Sequence, residues 1–331
     1  MSESLGNSTT SGHSSLDLVF LGTPDIAVPS LEALVRAGHR VRLVVTQPDR
    51  PAGRGRKLTR CAVALAADAL GLTVSQPQKV GSIAQEIAAL APDALAVLAF
   101  GQMLPAPVLA AGRLGAINVH TSLLPALRGA APISRAVMQG LTQTGVSTMF
   151  MDLGMDTGDV IFQEAVEIGP QETAGQLTGR LAVLGANLLL RTLAALAQGQ
   201  APRLPQDPGQ ATLAPRLSKA EGLVDWSRPA RELDWQVRGC DPWPGAYTLL
   251  EGQPLKLFAP TLVLAEDSGA APGTVPGSWL PPRPGLEDWL LVATGLGVLG
   301  LGQAQAAGKK RLAAREFLRG LGRGPLPRLG L

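Results

Sequence analysis

From Asp17 onward, short apolar runs alternate with segments whose apolar residues recur at helical spacing. LVFLG (18–22) ends in glycine, and PSLEALVRAGH (29–39) then shows the three- and four-residue period of a helix. VRLVVTQ (41–47) is a second run, rich in β-branched residues, followed by the helical TRCAVALAADALGL (59–72) and the buried-strand pattern DALAVLAFG (93–101). GAINVH, VSTMFMDL and DVIFQEAVEI continue the series. Strands alternating with helices predict βαβ units, a parallel sheet covered on both faces and right-handed crossovers. A Leu/Ala-rich stretch over 173–198 reads as one helix or two closing this α/β domain.

The pattern changes after that. GQAPRLPQDPGQATLAP (199–215) is rich in Pro, Gly and Gln and reads as a linker. Beyond it, LVDW, TLLEGQPLKLFAPTLVLAE, GTVPGSW and DWLLVATGLGVLGLGQAQA are short strand-like runs broken by turns, which predict a smaller β-rich domain in the form of a barrel, with one helical segment at REFLRGL. The chain thus divides into a disordered polar tail (1–15), an α/β domain (16–201), a linker (202–217) and a β-rich domain (218–331).

Composition narrows the classes. The chain is 46% hydrophobic and 17% charged, which allows a packed core, and at 4% aromatic that core must be mainly Leu, Val and Ala. Two distant cysteines, Cys61 and Cys240, support neither a disulfide framework nor a zinc knuckle and fit a reducing cytosol. The tail lacks the charged and apolar regions of a secretory signal, and WLLVATGLGVLGLG is too short and glycine-rich to span a bilayer. The reading is a cytoplasmic, monomeric protein with no membrane partner.

Two phosphate-binding patterns are rejected. GLGVLG (295–300) matches a dinucleotide fingerprint, but no helix opens at its last glycine and too little chain follows for a βαβ unit, so it reads as a hairpin. GQAQAAGKK has five residues between its glycines where a phosphate loop has four. With three histidines and no H-E-x-x-H, a metal site is not expected either.

Three segments carry chemistry. In GAINVHTSLLP (115–125), Asn118 and His120 stand at the carboxyl end of a predicted strand, where ligands bind in open α/β sheets, and a two-residue period puts them on one face. An amide and an imidazole aimed at one point can stabilise an oxyanion, and the imidazole can move a proton. Ser122, Leu123, Leu124 and Pro125 follow as a firm, apolar wall. In MDLGMDTGDV (151–160), Asp152 and Asp156 lie on a loop loosened by Gly154 and Gly158, and a carboxylate there could orient His120; an Asp/Gly turn between strands fits equally. In TQPDRPAGRGRKLTR (46–60), Arg50, Arg54, Arg56, Lys57 and Arg60 face one acid, and Pro and Gly predict a loop outside helix and strand. A second basic stretch runs from Lys309 and Lys310 to the C-terminus, and two such patches fit a polyanion.

FLGTPDIA, TQPDRPAGRGRKL, AFGQMLP, GAINVHTSLLPALRGAAPI, MDLGMDTGDV, LSKAEGLVDWS, DPWPGAY and AGKKRLAAREFLRG occur here in that order, and together they resemble the methionyl-tRNA formyltransferase family from about Leu18 to about Leu321. The resemblance implies a Rossmann-like formyltransferase domain and a small oligonucleotide-binding-type β-barrel. It implies 10-formyltetrahydrofolate as donor, methionyl initiator tRNA as acceptor and no metal. Asn118, His120 and Asp156 would be catalytic, Ser122 to Pro125 would contact the folate, and Arg54 and Lys57 would meet the acceptor stem, with Arg50, Arg56, Lys309 and Lys310 as further RNA contacts. Ala126 and Leu127 depart from a basic and an aromatic residue frequent in the family, and Ile26 from an aromatic. An amino sugar nucleotide as acceptor, or water, would use the same three residues.

Overall fold

The computed structural model describes residues 15–52, 57–264, 273–321 and 328–330. The expected tail lies outside them apart from Ser15, as do Arg54 and Arg56. The chain forms two compact units: Met1–His120 with Ser147–Gln163 and Ala182–Gln206, and Thr121–Val146 with Glu164–Leu181 and Asp207–Leu331.

The strands of the first part are β1 (Asp17–Gly22), β2 (Arg40–Val45), β3 (Arg50–Ala52), β4 (Lys57–Thr59), β5 (Val74–Ser75), β6 (Ala94–Leu98), β7 (Ala116–His120), β8 (Gln143–Phe150) and β9 (Val160–Glu167). The helices between and after them are α1 (Val28–Arg36), α2 (Ala62–Ala69), α3 (Ala84–Ala89), α4 (Ala106–Leu109), α5 (Pro132–Met138) and α6 (Ala174–Ala197). Seven strands make one sheet in the order β5-β2-β1-β6-β7-β8-β9. β1 runs parallel to β2 and β6, and β6 parallel to β7. The order turns back at β1, so the strands wind outward from it in both directions, as in doubly wound folds. The sheet is not wholly parallel as expected, because β8 pairs with β7 in the antiparallel sense. A run buried along its whole length, as β7 is, carries no mark of its neighbour's direction.

The first unit's core packs Val19, Leu21, Leu43, Val45, Leu95 and Val97 against Val80, Ile87 and Val108. The Leu/Ala-rich stretch is the single 24-residue helix α6. Among the described residues it is the one helix long and apolar enough to cross a membrane by length and composition, and half of its apolar window is buried within the fold.

The basic loop is also more regular than expected. β3 and β4 pair as an antiparallel ribbon with Arg50 opposite Thr59 and Pro51 opposite Leu58. Both strands of a two-stranded ribbon are edge strands, the position in which a sheet tolerates proline such as Pro51.

The second unit adds α7 (Ala230–Gly239), β10 (Ala246–Leu250), β11 (Gln253–Leu264), β12 (Leu290–Ala293), β13 (Val298–Ala306), β14 (Leu312–Ala313) and α8 (Ala314–Gly320). The five strands form an antiparallel sheet in the order β10-β11-β13-β12, with β14 on β13. Bridges from Leu223 to Tyr247 and from Trp279 to Val292 extend its two edges. GLGVLG is the turn and start of the β12–β13 hairpin, with Ala293 opposite Val298. Leu233, Val237 and Cys240 pack into this core with Leu255, Leu257, Leu299 and Leu301. Burial, and secondarily the charge of Glu221, pushes the Cys240 thiol up to about 12, so it stays protonated and inert.

Two ionic contacts shape this unit. On α7, Arg238 donates to Asp234 at 2.9 and 3.1 Å, both residues being 5% exposed, while Thr261 also donates to Asp234 and Arg238 to the Glu172 carbonyl. Asp234→Ala would strand a buried guanidinium and is expected to cost about 3–5 kcal/mol, read as a lower urea midpoint. Glu221 accepts from Arg135 at 2.5 Å and from the Ser218 backbone at 2.7 Å, and the Arg135 contact foremost holds its carboxyl below the usual 4.5. A depressed carboxyl stabilises the fold above its unfolded pKa and loses that contribution as pH falls through the folded one. Glu221→Gln is therefore expected to lower the urea midpoint at pH 7, with the difference shrinking as pH falls below 4.5.

Candidate active site

β7 ends at the carboxyl edge of the sheet's parallel part, with Asn118 between Val97 of β6 and Met149 of β8, and His120 opposite Ser147. Asn118 is 8% exposed and His120 6%. The alternation of a strand points both toward the same side.

The loop between β8 and β9 brings the third group. The Asp156 carboxylate lies 3.5 Å from Asn118 Nδ2 through one oxygen and 3.7 Å from His120 Nδ1 through the other. Both contacts are long for hydrogen bonds. Asp156 holds a φ of +56°, the left-handed region that a non-glycine residue adopts at a cost.

Several bonds fix this turn. Asp152 accepts from Gly154 N at 2.9 Å and from Thr157 Oγ1 at 2.7 Å, so this second aspartate ties the loop to itself. A Cβ at Gly158 would strike the Phe150 carbonyl, so the chain can fold back only with glycine there. Gln206 Nε2 donates to the carbonyls of Asp156 at 2.9 Å and Gly158 at 2.7 Å. Two residues earlier, Leu204 exchanges backbone hydrogen bonds with Val160 at 2.9 and 3.0 Å. Arg203 stacks its guanidinium 3.6 Å from the Phe150 ring centre and lies 3.5 Å from Asp159. The sequence reading missed Gln206 because it stands in an aperiodic Pro/Gly-rich segment; its only local signal is a long amide amid turn residues.

The loops after β1, β2 and β6 are tied at one carbonyl. Phe100 O accepts from Thr23 Oγ1 at 2.9 Å and from Gln47 Nε2 at 3.2 Å. A Cβ at Gly22 would meet the Phe20 ring, the Ala27 methyl and the Leu98 carbonyl within about 3 Å, so the chain packs closely against this glycine.

The segment after His120, in the second unit, makes a tight turn. Ser122 Oγ donates to Ala126 O at 2.6 Å and Ala126 N to Leu123 O at 3.1 Å. Ser122 and Leu124 are buried, while Leu123 and Pro125 keep part of their surface exposed. Thr212 accepts from Leu127 N at 2.8 Å and Ala214 donates to Arg128 O at 2.7 Å, so the predicted linker segment is hydrogen-bonded at these positions too.

Of the predicted cations, Arg50 is exposed on β3 and donates to Gln47 at 3.3 Å. Lys57 opens β4. Lys309 and Lys310 are exposed in the turn between β13 and β14. Among the described residues no group of three His, Cys, Asp or Glu side chains could hold a metal ion.

The formyl transferase family model matches residues 16–193, and the model of the formyl transferase C-terminal domain matches residues 216–322. The methionyl-tRNA formyltransferase of Pelotomaculum thermopropionicum is 47% identical over 312 residues, covering 94% of this chain and 96% of its own. That of Desulfotalea psychrophila is 48% identical over 308 residues, covering 92% and 93%. Two solved structures share the fold at 17% identity. The N-formyltransferase from Helicobacter canadensis, in complex with folinic acid and dTDP-3-aminofucose, has a TM-score of 0.64 and is matched over 87% of this chain and 98% of its own. HypX from Aquifex aeolicus, in complex with tetrahydrofolic acid, has a TM-score of 0.63 with 92% and 47% covered. With both domain models matched in order and nearly half of its residues shared with these two relatives over almost their whole length, the chain belongs to the methionyl-tRNA formyltransferase family.

Proposed function

We propose that the protein transfers the formyl group of 10-formyltetrahydrofolate to the α-amino group of methionyl initiator tRNA, in the cytoplasm and as a monomer without a membrane partner. The observation that carries the chemistry is the Asp156 carboxylate held within 3.7 Å of both Asn118 and His120. The acceptor follows from what the relatives of matching length are named for.

The donor set fits a formyl group. Attack on its carbon turns the carbonyl oxygen into an oxyanion. Asn118 Nδ2 and the His120 ring are the donors that receive it, in a setting shielded from water where such bonds are strongest. The nucleophile is the neutral amine, which an aminoacyl ester offers near pH 7 because an unperturbed α-amine titrates at about 7.7–8.0. Asp156 orients His120, and the two route the amine's proton toward the nitrogen from which the formyl carbon departs. No covalent bond to the protein forms. Leu123 and Pro125 offer the folate its apolar wall, with Ser122 and Leu124 shaping the turn beneath. Arg50, Arg54, Arg56 and Lys57 of domain 16–201, and Lys309 and Lys310 of domain 218–331, bind the RNA backbone.

The test is a formylation assay with 10-formyltetrahydrofolate and, separately, methionyl initiator tRNA, free methionine and an amino sugar nucleotide. Rapid transfer to the charged RNA alone is expected; transfer to the sugar, or formate release with any acceptor, would replace the substrate. Asn118→Ala is expected to lower turnover about 10²- to 10³-fold and His120→Ala about 10²- to 10⁴-fold. Near-normal rates in either would remove these residues from the mechanism. Reversing the charge of Arg54 and Lys57 together should weaken RNA binding and flatten its salt dependence.

A further inference from the structure

Gln206 holds the backbone on which one of the proposed catalytic groups stands. Its side-chain nitrogen has two hydrogens, and each goes to a carbonyl of the catalytic loop, Asp156 O at 2.9 Å and Gly158 O at 2.7 Å. Thr157, the residue between those peptides, is tied to Asp152 within the loop. Asp156, in its left-handed conformation, is braced from outside the loop by Gln206. Gln206 is itself anchored, since Leu204 is paired to Val160 at the start of β9.

We infer that Gln206 is a positioning residue for formyl transfer, acting through Asp156 by clamping the turn that aims its carboxylate at Asn118 and His120. The inference rests on the transferase reading above for its kinetic readout. A left-handed Asp persists only where its surroundings over-determine it. Without the two amide bonds the turn can relax toward an ordinary conformation, and the carboxylate moves with it. A displacement of about 1 Å in such a constellation can cost about 10²-fold in rate.

The test compares Gln206→Met, which keeps length but removes both donors, and Gln206→Glu, which sets an anion against two carbonyls, in the full-length protein. Both are expected to lower kcat about 10- to 100-fold with KM for either substrate changed less than about twofold. In an Asp156→Asn background, Gln206→Met should add almost nothing, because the residue acts through the carboxylate already removed. An equal further loss in that background, or a single variant within about twofold of the parent, would overturn the inference. Hydrogen exchange over residues 151–160 supplies a readout that needs no reaction: faster exchange in Gln206→Met is expected, and unchanged exchange counts against the clamp whatever the enzyme's substrate. If the parent protein formylates no methionyl-tRNA while exchange still rises in the variant, the substrate reading fails and the clamp stands.

Discussion

The left-handed backbone of Asp156 is the constraint around which the site is built. A β-strand can place an amide and an imidazole on one face by its period alone, as β7 does with Asn118 and His120. A carboxylate facing both must arrive from another segment, and here it comes from a loop that turns back within a few residues of β8. A residue in that conformation costs of order 1–3 kcal/mol, while an intramolecular hydrogen bond contributes about 0.5–1.5 kcal/mol net. One bond cannot hold the turn. Asp152, the bare α-carbon of Gly158, the Leu204–Val160 pair and the Gln206 amide bear on it together.

Burial gives the same residues their chemical leverage. Asn118 and His120 lie in a strand flanked on both sides, nearly closed to water, so under the proposed mechanism a developing charge would meet fixed dipoles in place of mobile solvent. The surrounding edge is stiffened by side chains bonded to backbone, with Thr23 and Gln47 meeting at the Phe100 carbonyl. Such bonds cross from loop to loop and leave no trace in hydropathy, yet they decide how closely the loops after β1, β2 and β6 approach one another.

What could be read from the sequence follows from this division. Periodicity marked β1, β2, β6 and β7, because a buried strand must be apolar along its length, and it separated the glycine-rich hairpin at 294–297 from a dinucleotide loop, because no helix follows. The pairing of Asn118 with His120 was legible for the same reason. The direction of β8 was not, since an apolar run reads alike whichever way it is traversed. The ribbon of β3 and β4 was hidden by Pro51, a residue that weakens central strands and is harmless where both strands are edges. By pattern alone Asp152 and Asp156 were equivalent; the family resemblance pointed to Asp156, and in the folded loop Asp152 is the one that ties it and Asp156 the one that faces His120.

The segment 202–217 shows why composition is a poor guide to order. Its prolines and glycines remove the regular hydrogen-bond ladders of helix and sheet, and with them every periodic signal. They do not remove bonds made one at a time. Leu204 pairs with a strand end, Gln206 reaches two carbonyls, Thr212 takes the Leu127 amide and Ala214 the Arg128 carbonyl, each through a different group at irregular spacing. An aperiodic stretch is therefore free to serve as a linker only if its polar groups find water. Where they find backbone instead, as Gln206 does at Asp156 and Gly158, the stretch becomes part of what holds a loop, and a long amide within it is worth as much attention as a residue in a recognised motif.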